Sequence, residues 1–105
     1  MEFKEGPLTS ILATKGRKTG KEHAVELRAV FYDGKFYFSR RNPNSDWLKN
    51  AIATPLVKIT VNDTTFSGYA SLVKDEELTK TISRMKYSDR RAEDARIMLE
   101  VIPCE

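Results

Sequence analysis

The chain has 105 residues, 40% of them hydrophobic and 31% charged, with a formal net charge of +3. That length supports one core but not two, and such a core folds without metal or disulfide staples. Cys104 is the single cysteine and His23 the single histidine, so the composition excludes an intrachain disulfide and offers no ligand cluster for a metal.

There is no apolar run approaching the roughly 20 residues that a membrane-crossing helix needs, and no signal-peptide core, so a reducing cytoplasm is the expected setting. Positive charge is concentrated early. Lys4, Lys15, Arg17, Lys18 and Lys21 outnumber Glu2, Glu5 and Glu22, whereas acids outnumber bases beyond residue 88. This mild basicity permits an anionic partner without requiring one.

In chain order, residues 8–14 form a weakly alternating strand. Thr14-Lys-Gly-Arg-Lys-Thr-Gly-Lys21 follows as a basic glycine loop before the next strand. Two glycines let such a backbone fold tightly and turn its N–H groups toward one point. Lys15, Arg17, Lys18 and Lys21 surround that point with charge, and Thr19 adds a hydroxyl. A phosphate-bearing ligand suits the loop, and so does the plainer role of a solvated hairpin turn.

Residues 24–32 alternate clearly, with Val25, Leu27, Ala29 and Phe31 on one face and Glu26, Arg28, Val30 and Tyr32 on the other. Asp33-Gly34 predicts a two-residue hairpin into a returning strand, 35–40, that contains Phe36, Tyr37 and Phe38. Asn42-Pro-Asn-Ser breaks this strand. Asn44 or Ser45 then caps a short helix through about Ile52, with Trp47, Leu48, Ala51 and Ile52 on its apolar side, and Pro55 ends it.

Residues 56–62 alternate again, and a turn at Asn62-Asp63 leads into a strand over about 65–73. Asp75 takes a cap position before Leu78, Ile82 and Met85, whose spacing predicts a helix to about Tyr87. Residues 88–95 are polar, a loop or a frayed turn, and carry no functional reading. The last strand, 96–102, aligns Ile97, Leu99 and Val101, and Pro103 stops it. Short strands with hairpin turns and a terminal strand able to close the sheet indicate a single mainly β (α+β) domain over 1–105. Its expected form is a six-stranded antiparallel barrel, with one helix after the third strand and another between the fifth and sixth covering a barrel mouth.

The ordered set Ile11-Leu-Ala-Thr-Lys-Gly-Arg-Lys-Thr-Gly-Lys21, Val25-Glu-Leu27 and Tyr32-Asp-Gly-Lys-Phe-Tyr37 resembles the split-barrel flavin- and deazaflavin-binding proteins. Within that pyridoxamine 5'-phosphate oxidase-like superfamily it is most similar to the deazaflavin-dependent nitroreductase family. Downstream, Ser39, then Asp46-Trp47-Leu48-Lys49-Asn50, then Pro55 and Val57 match the family's next stretch. The resemblance implies a split β-barrel and a cofactor, either the deazaflavin coenzyme F-420 or flavin mononucleotide (FMN). It implies that Arg17, Lys18, Thr19 and Gly20 hold the cofactor phosphate, with Gly16 in the same loop and Lys15 and Lys21 flanking it. Donors of this kind match a dianion.

Ser39 would approach the ring or the ribityl chain, Trp47 and Asn50 would flank the site, and Arg40 with Arg41 would assist with the phosphate. Each residue also has a plainer role: Trp47 in the core, Ser39 as a strand-end polar residue, and Arg40-Arg41 as a solvated edge. Arg28 faces either solvent or the groove. No acid, base or nucleophile stands out, as expected where a cofactor performs hydride transfer. Tyr69 and Tyr87 are equally plausible as proton donors and as packing residues.

The leading expectation is a homodimeric oxidoreductase passing hydride to a small electrophilic acceptor, with Phe31, Phe36, Phe38 and Trp47 forming an aromatic seam between subunits. The alternatives are a non-catalytic flavin- or haem-binding module and, more remotely, a nucleic-acid-binding small barrel. Three adjacent aromatic strand residues cannot all face one way, which weakens a stacking platform.

Overall fold

The structure, a computed structural model, describes residues 3–40, 45–86 and 97–104. The expected loop at 88–95, the end of the second helix at Tyr87 and the residues Arg41 and Asn44 lie outside them. Six strands and two helices follow in order: β1 (Gly6–Lys15), β2 (Glu22–Tyr32), β3 (Lys35–Arg40), α1 (Asp46–Ala53), β4 (Leu56–Val61), β5 (Thr64–Leu72), α2 (Glu76–Lys86) and β6 (Ile97–Pro103). The strands close into one antiparallel barrel in the order β1-β2-β3-β6-β5-β4, with β4 returning to pair with β1. The expected six-stranded fold is the observed one.

The hairpins set the register. Asp33 at φ 51° and Gly34 at φ 76° supply the left-handed pair of a tight β2–β3 turn. Asn62 at φ 55° turns β4 into β5. The first two strands exceed the expected 8–14 and 24–32, because continuous pairing runs from Gly6↔Phe31 to Lys15↔Glu22. Neighbouring backbone carries this ladder past the point where side-chain alternation fades.

Alternation fills the interior. Leu12, Ala29, Phe31, Phe36, Phe38, Val57, Ile59, Val61, Ala70, Leu99 and Val101 form one buried cluster, with Leu48 and Ala51 of α1 inside it. The short helix α1 therefore plugs the barrel at the end where β1 finishes and β2 begins. At the opposite end Phe3 stacks edge-on to Phe31 and Phe36, with centroids 5.7 and 5.5 Å away, and Phe66 lies 5.3 Å from Phe36. Ser10 lies in the inward row, where its hydroxyl donates to the Leu27 carbonyl at 3.0 Å, so the buried polar group is satisfied.

Two expectations are corrected. The late helix does not cover a barrel mouth. Ile82 of α2 packs with Val30, Tyr37 and Met98 on the outside of the β2-β3-β6 wall, because these residues alternate out of phase with the interior row. Nor do Phe31, Phe36 and Phe38 form an outward seam. At 8%, 0% and 1% exposure they are the barrel's own core, with Trp47 packed beside them.

Tyr37 points the other way and is also buried, so none of the β3 aromatics is presented as a stacking surface. Its hydroxyl donates to Glu100 Oε2 at 3.0 Å. Burial first, and then that carboxylate, push the phenol well above the ordinary tyrosine range and keep it neutral.

Candidate functional site

The loop between β1 and β2 folds on itself. Gly16 N–H donates to the Lys21 carbonyl at 2.7 Å, Gly20 N–H donates to the Gly16 carbonyl at 3.0 Å, and Lys21 N–H donates to Thr19 Oγ1 at 3.2 Å. Gly20 sits at φ 73°, where a side chain would be strained. Gly16 leaves little room for a side chain. A Cβ there would lie 2.9 Å from His23 Nε2 and 3.2 Å from the Lys21 carbonyl oxygen.

The backbone N–H groups of Lys18 and Thr19, at the loop tip, have no partner among the described residues. The Lys18 ammonium is likewise unpaired among them.

This loop walls one side of a cleft of about 650 Å³. Thr14 comes from the last positions of β1, His23 and Val25 from β2, Arg40 from the end of β3, Ser45 from the cap of α1, and Asp46, Trp47 and Asn50 from α1 itself. Ser45 is the cap residue of α1, and its hydroxyl accepts a bond from Arg40 Nε at 2.8 Å. Trp47 belongs both to the packing and to the cleft wall. It packs edge-on to Phe38 at 6.2 Å while another edge lines the cleft.

Asn50 is 6% exposed and lies at the centre of a short chain of hydrogen bonds. Its Oδ1 accepts from Arg17 Nη1 at 2.8 Å and from Arg17 N–H at 3.3 Å. Its Nδ2 donates to the buried Thr14 hydroxyl at 3.4 Å. Arg17 also donates to the Asp46 carbonyl at 3.3 Å and pairs with the Asp46 carboxylate at 3.7 Å.

Of the residues named from sequence, Gly16, Arg17, Lys18, Thr19, Arg40, Trp47 and Asn50 thus converge on one cleft. Lys15 and Gly20 do not line it. They border a smaller recess of about 200 Å³ on the other side of the loop, with Lys58 and Ser67. Ser39 lies elsewhere: it follows the inward Phe38, faces the outer wall and accepts from Lys86 Nζ of α2 at 3.2 Å. Arg28 is exposed opposite Thr9 on the outer face, away from the cleft.

Sequence reasoning missed Thr14, His23, Val25, Ser45 and Asp46 as lining residues. Thr14 carried a signal, being the last position of the inward β1 row and polar. Asp46 carried none, because only the folded α1 brings it to Arg17. Among the described residues no cluster of acids, histidine and cysteine is arranged to hold a metal ion. None of the described helices is long and apolar enough to cross a membrane.

Comparison with protein-family models matches residues 1–99 to the F420H2-dependent quinone reductases. The chain belongs to that family. The assignment bears out the resemblance to deazaflavin-dependent split-barrel proteins and places the chain in a family of deazaflavin-dependent oxidoreductases. No curated protein matches the sequence.

Among solved structures, a conserved hypothetical protein from Mycobacterium tuberculosis superposes with a TM-score of 0.74 at 19% identity, covering 93% of this chain and 74% of that one. A structure described as an F420 reductase gives 0.69 at 19% identity, covering 96% and 90%. A pyridoxamine 5'-phosphate oxidase-like protein from Listeria innocua gives 0.71 at 15% identity, covering 92% and 84%. At these identities the structures establish the shared split-barrel fold, and the family match carries the deazaflavin assignment.

Proposed function

We propose that this chain binds coenzyme F-420 with the cofactor's phosphate in the loop-tip cleft and passes its hydride to a small electron acceptor. The family's name points to a quinone as the acceptor class. The observation that carries this reading is the convergence of donor-bearing residues on one cleft, with the donors of Lys18 lacking a partner among the described residues. The Lys18 ammonium and the Lys18 and Thr19 N–H groups meet the Thr19 hydroxyl and the Arg40 guanidinium around one cleft. An anion fits this set. Among the described residues the single carboxylate lining the cleft, Asp46, is already paired with Arg17. Oriented N–H groups with ammonium and guanidinium donors are the combination that neutralises a phosphate.

The bound cofactor supplies the hydride chemistry, and the protein supplies position and electrostatics. Trp47 and Val25 give the cleft an apolar wall able to exclude water beside a ring. The same donor set is compatible with FMN, so the two cofactors are compared directly.

Fluorescence titration with F-420 and, separately, FMN tests the reading. Tight binding of F-420 that weakens about tenfold or more in Lys18→Ala is the expected result, since a charge-assisted bond to phosphate is lost. Failure to bind either cofactor would sink it. Oxidation of reduced F-420 by a quinone then distinguishes an enzyme from a module that only stores the cofactor.

The working unit in this reading is a cytoplasmic homodimer. Leu56, Tyr69 and Ile102 stand directly opposite one another across β4, β5 and β6 and are 52%, 57% and 46% exposed. This apolar row on the outer sheet face suits a second copy of the chain. One of the structurally similar chains is described as a domain-swapped dimer.

A further inference from the structure

The family resemblance makes Arg17 a phosphate ligand, but the geometry gives its guanidinium other partners. Nη1 donates to Asn50 Oδ1 at 2.8 Å and to the Asp46 carbonyl at 3.3 Å, and Nη2 pairs with the Asp46 carboxylate at 3.7 Å. The Arg17 backbone N–H donates to the same Asn50 oxygen at 3.3 Å. Asn50 is itself fixed from behind. It is almost fully buried, donates to the buried Thr14 hydroxyl at 3.4 Å, and belongs to the helix that plugs the barrel through Leu48 and Ala51.

One amide oxygen thus accepts both from the backbone and from the side chain of the first loop residue after Gly16. Such a two-point bond fixes the direction of the backbone as well as its position. Immediately after it come the Lys18 and Thr19 N–H groups, which have no partner among the described residues.

We propose that Arg17 and Asn50 are positioning residues: together they latch the loop to α1, so that the Lys18 and Thr19 N–H groups point into the cleft, and Arg17 itself does not ligate the cofactor's anion. The inference rests on the reading of this cleft as the anion-binding part of the cofactor site. It divides the loop cations by task. Lys18 and Arg40 meet the anion, while the charge of Arg17 is taken up by Asp46. It also links the aromatic wall to the anion grip, because Trp47 and Asn50 lie one turn apart on the same short helix.

Lysine keeps the charge of Arg17 but lacks the planar fork that reaches Asn50 and Asp46 together. Asn50→Asp keeps an acceptor for Arg17, loses the donation to Thr14 and adds a negative charge at the cleft, so it is read by amide exchange, without ligand.

The test has two arms, each run on Arg17→Lys, Asn50→Ala, Lys18→Gln and the double variant Arg17→Lys/Asn50→Ala, with Asn50→Asp in the first alone. Amide hydrogen exchange over residues 16–21, in protein without ligand, is expected to quicken about tenfold or more in Arg17→Lys and Asn50→Ala. It should stay near wild type in Lys18→Gln and be largely restored in Asn50→Asp. F-420 titration should show losses of about tenfold in each of the two latch variants, with the double variant no worse than either, because both remove one unit.

Unchanged loop exchange in Arg17→Lys would overturn the latch. Additive binding losses in the double variant would overturn it too, and so would near-native affinity in Arg17→Lys, the result expected if Arg17 meets the anion directly through its charge. Wild-type protein that fails to bind F-420 would refute the cofactor reading, while the exchange arm would still decide the latch. If Asn50→Ala does not fold, the contrast between Arg17→Lys and Asn50→Asp decides it.

Discussion

At the scale of single residues, space and charge place different demands on the glycines and polar groups. Gly16 and Gly20 serve the loop's shape, whereas Gly68 of β5 serves the core. A Cβ at Gly68 would lie 2.6 Å from Val101 Cγ1, closer than real contacts permit, and 3.0 Å from the Ile102 carbonyl oxygen, a tight contact. Gly68→Ala is therefore expected to cost about 1–3 kcal/mol through overpacking, read as a lowered midpoint in chemical denaturation. Trimming the obstructing methyls with Val101→Ala in the same chain should recover part of that loss. A double variant less stable than the two single changes predict would argue against a steric cause. The inward Ser10 and Thr14 show the opposite case, polar side chains tolerated in a barrel wall because each has a partner at hand.

At the scale of elements, the two helices are held by different forces. The eight residues of α1 are too few for a helix that is stable on its own. Leu48, 1% exposed, and Ala51, fully buried, anchor it in the barrel end. The longer α2 has an effective cap, since Asp75 Oδ1 accepts from the N–H groups of Glu77 and Leu78 at 3.0 and 3.3 Å. Magnitudes separate the two. Leu48→Ala should cost about 2–5 kcal/mol through the cavity it leaves, and it should weaken cofactor binding because the cleft loses its α1 wall. Asp75→Ala should cost about 1 kcal/mol and leave binding unchanged. Equal effects of the two on binding would show that α1 is not the element that shapes the cleft.

At the scale of the whole molecule, the outer sheet face carries the remaining expectation. Replacing Tyr69, the middle of the exposed row, with glutamate puts a charge where a second copy would pack. Wild-type protein is expected to sediment as a dimer and Tyr69→Glu as a monomer. A monomeric wild type that still binds cofactor would remove the dimer from the proposal.

The barrel itself was largely legible in the sequence. Period-two alternation located β1, β2, β4 and β6, the turns at Asp33-Gly34 and Asn62-Asp63 located β3 and β5, and the basic glycine loop located most of the cleft. These signals are local, fixed by backbone sterics and by which side of a strand must be apolar, and so they can be read without the fold.

Other features have no local signature. Nothing in the sequence says that α1 rather than α2 closes a barrel end, or that the outward Val30, Tyr37 and Met98 lie under α2, because an apolar residue looks the same whichever neighbour buries it. Nor does a run of Lys and Arg show which cation is already paired. The chain order and the loop's charge were set by sequence. The engagement of Arg17 with Asp46 and Asn50, 29 and 33 residues away, was decided only when barrel closure brought α1 against the loop.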